Sequence, residues 1–321
     1  MSKNPVSTSA DTERVNRLRD NIETVMFGKR DLVELCIAGL LARGHILIED
    51  VPGIGKTLLA AALARSVSCK FSRIQFTSDL LPSDIVGVSV LDGNGHEFEF
   101  RPGPIFANVV LADEINRTTP KTQSALLEAM QDHTVSIDNQ THTLPEPFIV
   151  LATQNPIEYE GTYPLPESEL DRFMLRLKVG YPSRQDEVRV VVNGIGPHSV
   201  EDLDPVLSID DIIELHEQAR TVSVDDAIVE YLMDIIAATR AHPDIELGVS
   251  PRGALAFFDI AKAYAFVKGR NYVLPDDIKA LAVPVLSHRI VLRSHRGALT
   301  SLADESERVI NEMLATIAVP V

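Results

Sequence analysis

The sequence predicts an α/β fold in which helices cover both faces of a five-stranded parallel sheet, followed by a helical domain. In the first part of the chain, five short predicted strands alternate with helical segments, an order that implies a parallel sheet with helices on both faces. Beyond residue 206 the apolar residues recur at helical spacing, without a convincing strand. The predicted strands are residues 45–49, 71–75, 107–114, 147–156 and 173–179.

Two segments interrupt this alternation and are predicted to be β-hairpins that project from the sheet. Residues 86–103 have alternating patches on either side of the turn sequence Asp-Gly-Asn-Gly, and residues 134–144 turn at 138–140. Neither hairpin is needed to complete the sheet, so both are predicted to be insertions.

The chain divides into four parts. Residues 1–20 are polar and are predicted to form a flexible tail, and residues 21–193 form the α/β domain. The density of glycine and proline predicts a linker at residues 194–206. Residues 207–321 form the helical domain, with predicted helices at 208–220, 225–240, 252–268, 276–288 and 301–317.

Charge and composition argue against nucleic acid or a membrane as the main partner. The formal net charge is −16, with 46 acidic and 30 basic residues, whereas phosphate backbones require a basic face. No apolar run approaches the roughly 18 residues that a membrane-spanning helix needs, and the amino terminus lacks an apolar signal stretch, so no membrane insertion is expected. Cys36 and Cys69 are far apart, which favours reduced thiols in a cytoplasmic protein.

A glycine-rich stretch between the first strand and an Ala/Leu-rich helix predicts a phosphate-binding loop. Glycines allow backbone N–H groups to surround phosphate oxygens, and the helix offers its positive N-terminal end. Lys56 would contact the β- and γ-phosphates, and the Thr57 hydroxyl would bind Mg²⁺. An ordinary glycine-rich turn is the alternative. The predicted cofactor-binding residues of the loop are Gly53, Ile54, Gly55, Lys56, Thr57 and Leu58.

Asp50 departs from the loop pattern, which has glycine at this position. A full charge about 4 Å from a phosphate would cost about 1 kcal/mol in water and about 4 kcal/mol at a protein-like dielectric. This cost applies only if the carboxylate faces the phosphates. Because a residue immediately after a strand can direct its side chain outward, we expect Asp50 to be tolerated.

Two acids, Asp113 and Glu114, close the third apolar run. An acid at the end of a buried strand fits the carboxylate that binds Mg²⁺, and Glu114 beside it could act as a general base toward water. The second acid favours an ATPase, because small GTPases orient water with Gln and the guanine-reading sequence N-K-x-D is absent. The alternative is that the two acids only solvate the end of a strand.

Asn155 and Arg252 are further candidates for contact with nucleotide. Asn155 follows a buried strand and could hold the attacking water or sense the γ-phosphate, although an Asn before Pro156 could simply form a turn. Arg252 lies in the first turn of a predicted helix, with Ser250 as its expected N-cap. The helix dipole disfavours a cation there unless a phosphate faces it. A surface arginine is the alternative.

Arg172 precedes the fifth predicted strand and should lie at the edge of the sheet opposite the nucleotide, which binds at the carboxyl ends of parallel strands. A catalytic Arg172 must therefore serve a neighbouring subunit as an arginine finger, and such a contact between unlike surfaces makes a ring when it closes. The alternative is a local ion pair with Glu169 or Asp171.

Five segments together, IEDVPGIGKT, LADEINR, ATQNP, YPLPESELDRF and SPRGAL, resemble those of the MoxR family of AAA+ ATPases. The resemblance extends from about residue 25 to the carboxyl terminus. It implies an α/β P-loop NTPase (AAA+) domain with two β-hairpin insertions and a C-terminal all-α lid domain, with ATP and Mg²⁺ as cofactors and adenine near residues 26–28. The implied roles are Walker A for Lys56 and Thr57, Walker B for Asp113 and Glu114, sensor 1 for Asn155, the finger for Arg172 and sensor 2 for Arg252.

The same resemblance implies a homo-oligomer, usually a hexameric ring, that remodels protein clients, often with partners that carry a von Willebrand factor A domain. The expected function is an ATP-hydrolysing ring motor with chaperone-like activity. A non-hydrolysing scaffold switched by ATP is the alternative, and Glu114 and Arg172 favour the motor. A nucleic-acid translocase is disfavoured by the acidic balance, since residues 88–100 of the first hairpin carry three acids and no Lys or Arg.

Overall fold

The computed structural model describes residues 9–50, 53–91, 98–138, 140–155, 161–193, 200–293 and 302–320. The helices of its amino-terminal part are α1 (Ser9–Glu23), α2 (Arg30–Leu41), α3 (Lys56–Ser66), α4 (Pro82–Val86), α5 (Pro120–Asp132), α6 (Glu167–Leu170) and α7 (Arg184–Asn193). The strands are β1 (His45–Glu49), β2 (Phe71–Gln75), β3 (Gly87–Leu91), β4 (Phe98–Pro102), β5 (Val109–Asp113), β6 (Thr134–Ile137), β7 (Gln140–Thr143), β8 (Ile149–Gln154) and β9 (Phe173–Leu177).

Five strands form one parallel sheet in the order β2-β5-β8-β1-β9, so the predicted sheet is confirmed. Alternate residues of a strand face opposite sides. Ile46 and Ile48 of β1 therefore pack in the core that contains α2 and α3, whereas Leu47 packs in a second core with Leu126 of α5. Burial on both faces explains why β1, β5 and β8 are mainly apolar, whereas the edge strand β2 is only partly buried.

Both predicted hairpins are present, formed by β3 with β4 and by β6 with β7. Their predicted turns fall partly on residues 92–97 and 139, which lie outside the described residues. The hairpins contact each other, because the ring of Phe100 in β4 stacks on that of His142 in β7 with centroids 3.9 Å apart. The two hairpins therefore lie side by side.

The predicted flexible tail at residues 1–20 is wrong from Ser9 onward, where α1 begins. This helix buries Val15, Leu18 and Ile22, which are three and four residues apart and pack in the same core as α2 and α3. The surrounding charged residues conceal this short apolar stripe in the sequence. Residues 1–8 lie outside the described part of the chain.

The end of the predicted linker packs against the α/β domain. Arg65 of α3 donates hydrogen bonds to the carbonyls of Glu201 and Leu203, and the N–H of Val206 donates to the carbonyl of Ser66. Residues 194–199 of the linker lie outside the described residues.

The carboxyl-terminal domain is helical, as predicted, with one addition. Its helices are α8 (Ile209–Arg220), α9 (Asp226–Ala241), α10 (Pro251–Val267), α11 (Pro275–Leu286) and α12 (Leu302–Leu314). A short antiparallel ribbon joins β10 (Ile245–Leu247) to β11 (Val291–Leu292), and its strands are too short to produce an alternating pattern in the sequence. In the described part of the chain, no helix combines the length and the apolar composition that crossing a membrane requires.

Candidate nucleotide-binding site

The candidate site lies at the carboxyl edge of the sheet, where four neighbouring strands end. Strand pairing places Gln75 beside Asp113 and Glu49 beside Gln154, so the predicted loop, the two acids and Asn155 meet at one edge. Ligands of open parallel sheets bind at this edge. The order of the strands, which the sequence does not give, thus brings the candidate residues together.

The phosphate loop adopts a backbone conformation that requires glycine. Gly53 has φ of +83° and Gly55 has φ of +96°, and α3 begins at the next residue, Lys56. A Cβ atom at Gly53 would meet no other atom within 4 Å, so the backbone angle and not crowding selects glycine there. The open space before the N-terminus of α3 fits an anionic phosphate group.

Lys56 lies among three carboxylates. Its Nζ donates a hydrogen bond to the carbonyl oxygen of Asp50 at 2.8 Å. Burial lowers the pKa of Lys56, and the charges of Asp113, Asp50 and Glu114 oppose this effect. The charges of both acids that the sequence analysis selected therefore act on the ammonium group.

The side chain of Asp50 is directed toward the segment after β9. Its Oδ2 accepts a hydrogen bond from the N–H of Gly180 at 2.6 Å, and the residue is half-buried. Its charge nevertheless raises the pKa of Lys56, although less than that of Asp113 does. Asp50 thus has a structural bond of its own, and its effect on nucleotide affinity remains a prediction.

Asp113 is held by two side chains that the sequence analysis missed. Its Oδ1 accepts a hydrogen bond from the Thr153 hydroxyl at 2.7 Å, and its Oδ2 accepts one from Nη2 of Arg73 at 2.6 Å. The only sequence signal for Thr153 and Arg73 is a polar side chain in a predicted strand. Because β2 and β8 both pair with β5, these side chains lie beside Asp113. Both carboxylate oxygens of Asp113 are therefore held in place, and a carboxylate is the kind of hard oxygen ligand that Mg²⁺ prefers.

Glu114 follows directly, in a left-handed conformation with φ of +58°. Its N–H donates to the hydroxyl of Thr153 at 2.9 Å. Its Oε2 accepts a hydrogen bond from Nε2 of Gln75 at 3.1 Å and lies 2.9 Å from Nε of Arg117. Thr153 therefore contacts both acids, and Gln75 and Arg117 fix the orientation of the second carboxylate. Sequence reasoning missed Gln75 and Arg117 as well.

Asn155 follows β8 and is buried at 7% exposure, beside the phosphate loop strand. The N–H of Asp50 donates to the carbonyl of the preceding residue, Gln154, at 3.3 Å. The structure therefore places Asn155 at the same edge as Asp113.

Arg172 lies at the opposite edge of the sheet. It precedes Phe173, which pairs with His45 at the start of β1, so the length of a five-residue strand, about 16 Å, separates it from the phosphate loop. Its Nη1 donates to the carbonyl of Leu127 at 3.0 Å, and its Nε is buried without a hydrogen-bond partner. Among the described residues it forms no ion pair, so the alternative pairing with Glu169 or Asp171 is absent.

Arg252 is exposed in the first turn of α10. The predicted N-cap is confirmed, because Oγ of Ser250 accepts a hydrogen bond from the N–H of Gly253 at 3.0 Å. Arg252 also lies near the buried Arg289, whose pKa is lowered to about 10, mainly by burial and in part by the charge of Arg252.

A glycine-rich loop after β1, two acids at the end of β5 and a helical lid define a P-loop ATPase of the AAA+ class. Residues 45–175 match the "ATPase family associated with various cellular activities (AAA)", and residues 237–313 match the "AAA lid domain". The chain belongs to the MoxR family of AAA+ ATPases.

Individual relatives cover almost the whole chain. It is 42% identical to "Chaperone MoxR1" of Mycobacterium tuberculosis, over 97% of this chain and 84% of that protein. It is 51% identical to "Uncharacterized protein YeaC" of Bacillus subtilis, over 94% and 93% of the two chains. The crystal structure of a Cytophaga hutchinsonii protein aligns with a TM-score of 0.88 at 36% identity, covering 97% of this chain and 96% of the other.

Proposed function

We propose that the protein binds ATP with Mg²⁺ and hydrolyses the γ-phosphate. The observation that carries this proposal is the convergence of Lys56, Asp113 and Glu114 at one edge of the sheet, supported by their mutual electrostatic effects. The N–H groups around Gly53 and Gly55 would hold the phosphates, with Ile54 and Leu58 completing the loop. Thr57 and Asp113 would hold Mg²⁺, which neutralises charge on the phosphates.

Glu114 would act as the general base for the attacking water. Gln75 and Arg117 both bind its Oε2, so Oε1 is the oxygen that would take the proton. Asn155 would hold the same water or sense the γ-phosphate from the neighbouring strand. Arg252 would contact the γ-phosphate of an adjacent subunit from the lid, because the bond of Ser250 to Asp171 places the first turn of α10 at the same edge of the sheet as Arg172.

Arg172 would complete the site of an adjacent subunit, which makes the working form a homo-oligomeric ring. Its position at the far edge of the sheet supports this role, because it lies about 16 Å, the length of β9, from its own phosphate loop. We adopt the hexamer as the proposed size, on the basis of the family. The proposed location is the cytoplasm, in accord with the two free cysteines.

The proposed biological role is chaperone-like remodelling or maturation of a protein client, powered by ATP. A relative named as a chaperone and 42% identical to this chain supports it. A von Willebrand factor A-domain protein is the proposed type of partner. An ATP-switched scaffold without hydrolysis is the competing proposal, and the presence of Glu114 beside Asp113 favours hydrolysis.

The experiment compares the ATPase rate per subunit of wild type and Glu114→Gln over a range of protein concentrations. Loss of the base should lower kcat by about 100-fold or more, and the wild-type rate should rise with assembly. Glu128→Gln, an exposed change on α5, is the matched control and should leave the rate unchanged. Equal rates for wild type and Glu114→Gln would favour the scaffold.

Shared sites are tested by mixing Lys56→Ala with Arg172→Ala subunits, each expected to be inactive alone. In a mixed ring, the intact phosphate loop of one subunit meets the intact finger of the other, so activity should return. Arg308→Ala, which removes an exposed arginine from the lid, serves as the control for Arg172→Ala. No recovery despite demonstrated co-assembly would exclude a finger acting between subunits.

A further inference from the structure

The lid binds strand β9 at both of its ends, in two different ways. At the amino end, Oδ1 of Asp171 accepts a hydrogen bond from Nε of Arg289 at 2.8 Å, and Arg289 is 6% exposed. Beyond the carboxyl end, Nζ of Lys178 lies 2.8 Å from Asp304 and 2.9 Å from Glu307 of α12. The side chains of Lys178 and Asp304 are exposed, so water can replace their pairing at little cost. The contact with α12 is therefore the one that can open without disrupting the core.

Arg176 extends this contact with α12 into the protein interior. It is 8% exposed in β9, and its Nη2 donates a hydrogen bond to Oε1 of Glu307 at 3.3 Å. Its Nη1 lies 3.5 Å from Oε2 of Glu49 in β1. Close pairs of a guanidinium and a carboxylate have N–O distances of about 2.8 Å. Arg176 is therefore shared between the lid and β1, and it has room to approach either carboxylate more closely.

Glu49 connects this shared cation to the phosphate loop. It is the last residue of β1 and is 7% exposed, and its Oε1 accepts a hydrogen bond from Nε2 of Gln154 at the end of β8. Its Oε2 is buried and accepts no hydrogen bond from the described part of the chain. Asp50, whose carbonyl binds Lys56, follows Glu49, and Asn155 follows Gln154. Because close-packed interiors transmit strain, a shift of the Glu49 carboxylate displaces the ends of both strands.

We propose that Arg176 is a positioning residue that couples the docking of α12 to the affinity of the phosphate loop for nucleotide. The inference rests on the proposed binding of nucleotide, but not on hydrolysis or on a ring. With α12 docked, Glu307 holds Arg176 away from Glu49, and the bond between Glu49 and Gln154 is kept. When α12 withdraws, Arg176 closes on the unsatisfied oxygen of Glu49 and draws this carboxylate away from Gln154. The docked position of α12 therefore favours nucleotide binding.

The Kd for MgADP, measured by calorimetric titration of wild type and Glu307→Ala, tests this coupling. Loss of the Glu307 carboxylate should raise the Kd by about fivefold or more, the lower end of ordinary coupling between sites. Glu312→Ala is the matched control, because it removes an exposed carboxylate of the same helix that pairs with Arg308, and it should leave the Kd unchanged.

Two results of this titration would overturn the proposal. An unchanged Kd in Glu307→Ala would show that the contact of α12 with Arg176 does not reach the loop. A lower Kd would show that the charge of Glu307 acts on the phosphates through space, since removal of a negative charge favours an anion. If wild type does not bind MgADP at all, the proposed nucleotide binding fails and this inference with it, which is distinct from an unchanged Kd.

Hydrogen exchange of the α12 amides gives a second readout that does not depend on Glu307→Ala. Because coupling between sites is reciprocal, MgADP should slow the exchange of α12 in wild type by about the same factor. Arg176→Lys keeps the buried positive charge but lacks the fork that reaches two carboxylates, so it should fold and lose this protection. Exchange that MgADP leaves unchanged in wild type, or slows equally in Arg176→Lys, would contradict the proposed role of Arg176.

Discussion

Protonation of His45 is expected to destabilise the sheet, by an amount that follows from its burial. The ring is 4% exposed in β1, its Nε2 lies 2.9 Å from the carbonyl of Met130, and its Nδ1 accepts a hydrogen bond from the N–H of Val150 at 3.0 Å. A neutral imidazole satisfies both partners. Burial lowers the pKa of His45 from 6.5 to about 4, and the nearby His133 adds to this effect.

The unfolded chain therefore takes up the proton first as the pH falls. The stabilisation by neutral His45 is complete above pH 6.5 and is lost progressively toward pH 4. The difference between the folded and unfolded pKa values corresponds to about 3 kcal/mol in the free energy of unfolding. About 2 kcal/mol of this stability is lost between pH 7 and pH 5.

Urea unfolding of wild type and His45→Asn at these two pH values measures the effect. Because Asn does not titrate, the advantage of wild type over the variant should shrink by about 2 kcal/mol at the lower pH. Burial also lowers the pKa of His288, but this residue titrates in both proteins and cancels in the difference. His242→Asn, the same substitution at a partly exposed histidine, is the control. An equal advantage at both pH values would refute the reasoning.

Two further predictions concern the site. Asp50→Asn should change the Kd for ATP by less than about tenfold, because the carboxylate is bonded to Gly180 and an amide oxygen can accept the same bond. Calorimetric titration measures the Kd, and a larger gain in affinity would contradict the prediction that Asp50 is tolerated. Thr153→Val should lower kcat by about 10- to 100-fold with the fold retained, since it removes the hydroxyl that contacts Asp113 and Glu114. Steady-state kinetics measure kcat, and circular dichroism checks that the fold is retained. An unchanged kcat would show that Thr153 does not position the two acids.

The parts of the fold with strong local signals were predictable from the sequence. The central strands β1, β5 and β8 are buried on both faces, so their apolar runs were visible, and the N-cap at Ser250 marked the start of α10. The stripe of α1 was hidden because its few apolar residues alternate with many charges. The ribbon in the lid was hidden because its strands are only three and two residues long.

The motif residues of the site were predictable for the same reason, since each follows a local pattern. Their supporting contacts were not, because they cross between strands that are not consecutive in the chain. Thr153 and Asp113 are 40 residues apart, and Asp171 and Arg289 are 118 residues apart. Only the order and register of the strands determine which polar side chains meet.

The bond between Asp50 and Gly180 also has a consequence for how the chain acquires its binding site during folding. The two residues are 130 positions apart, and the bond requires β9 to have paired with β1. Parallel pairings at such separations are among the last to form, because loop closure precedes them. This bond at the entrance to the phosphate loop therefore forms only after β9 has joined the sheet. A nascent chain that ends before Gly180 contains the whole loop sequence but lacks this bond.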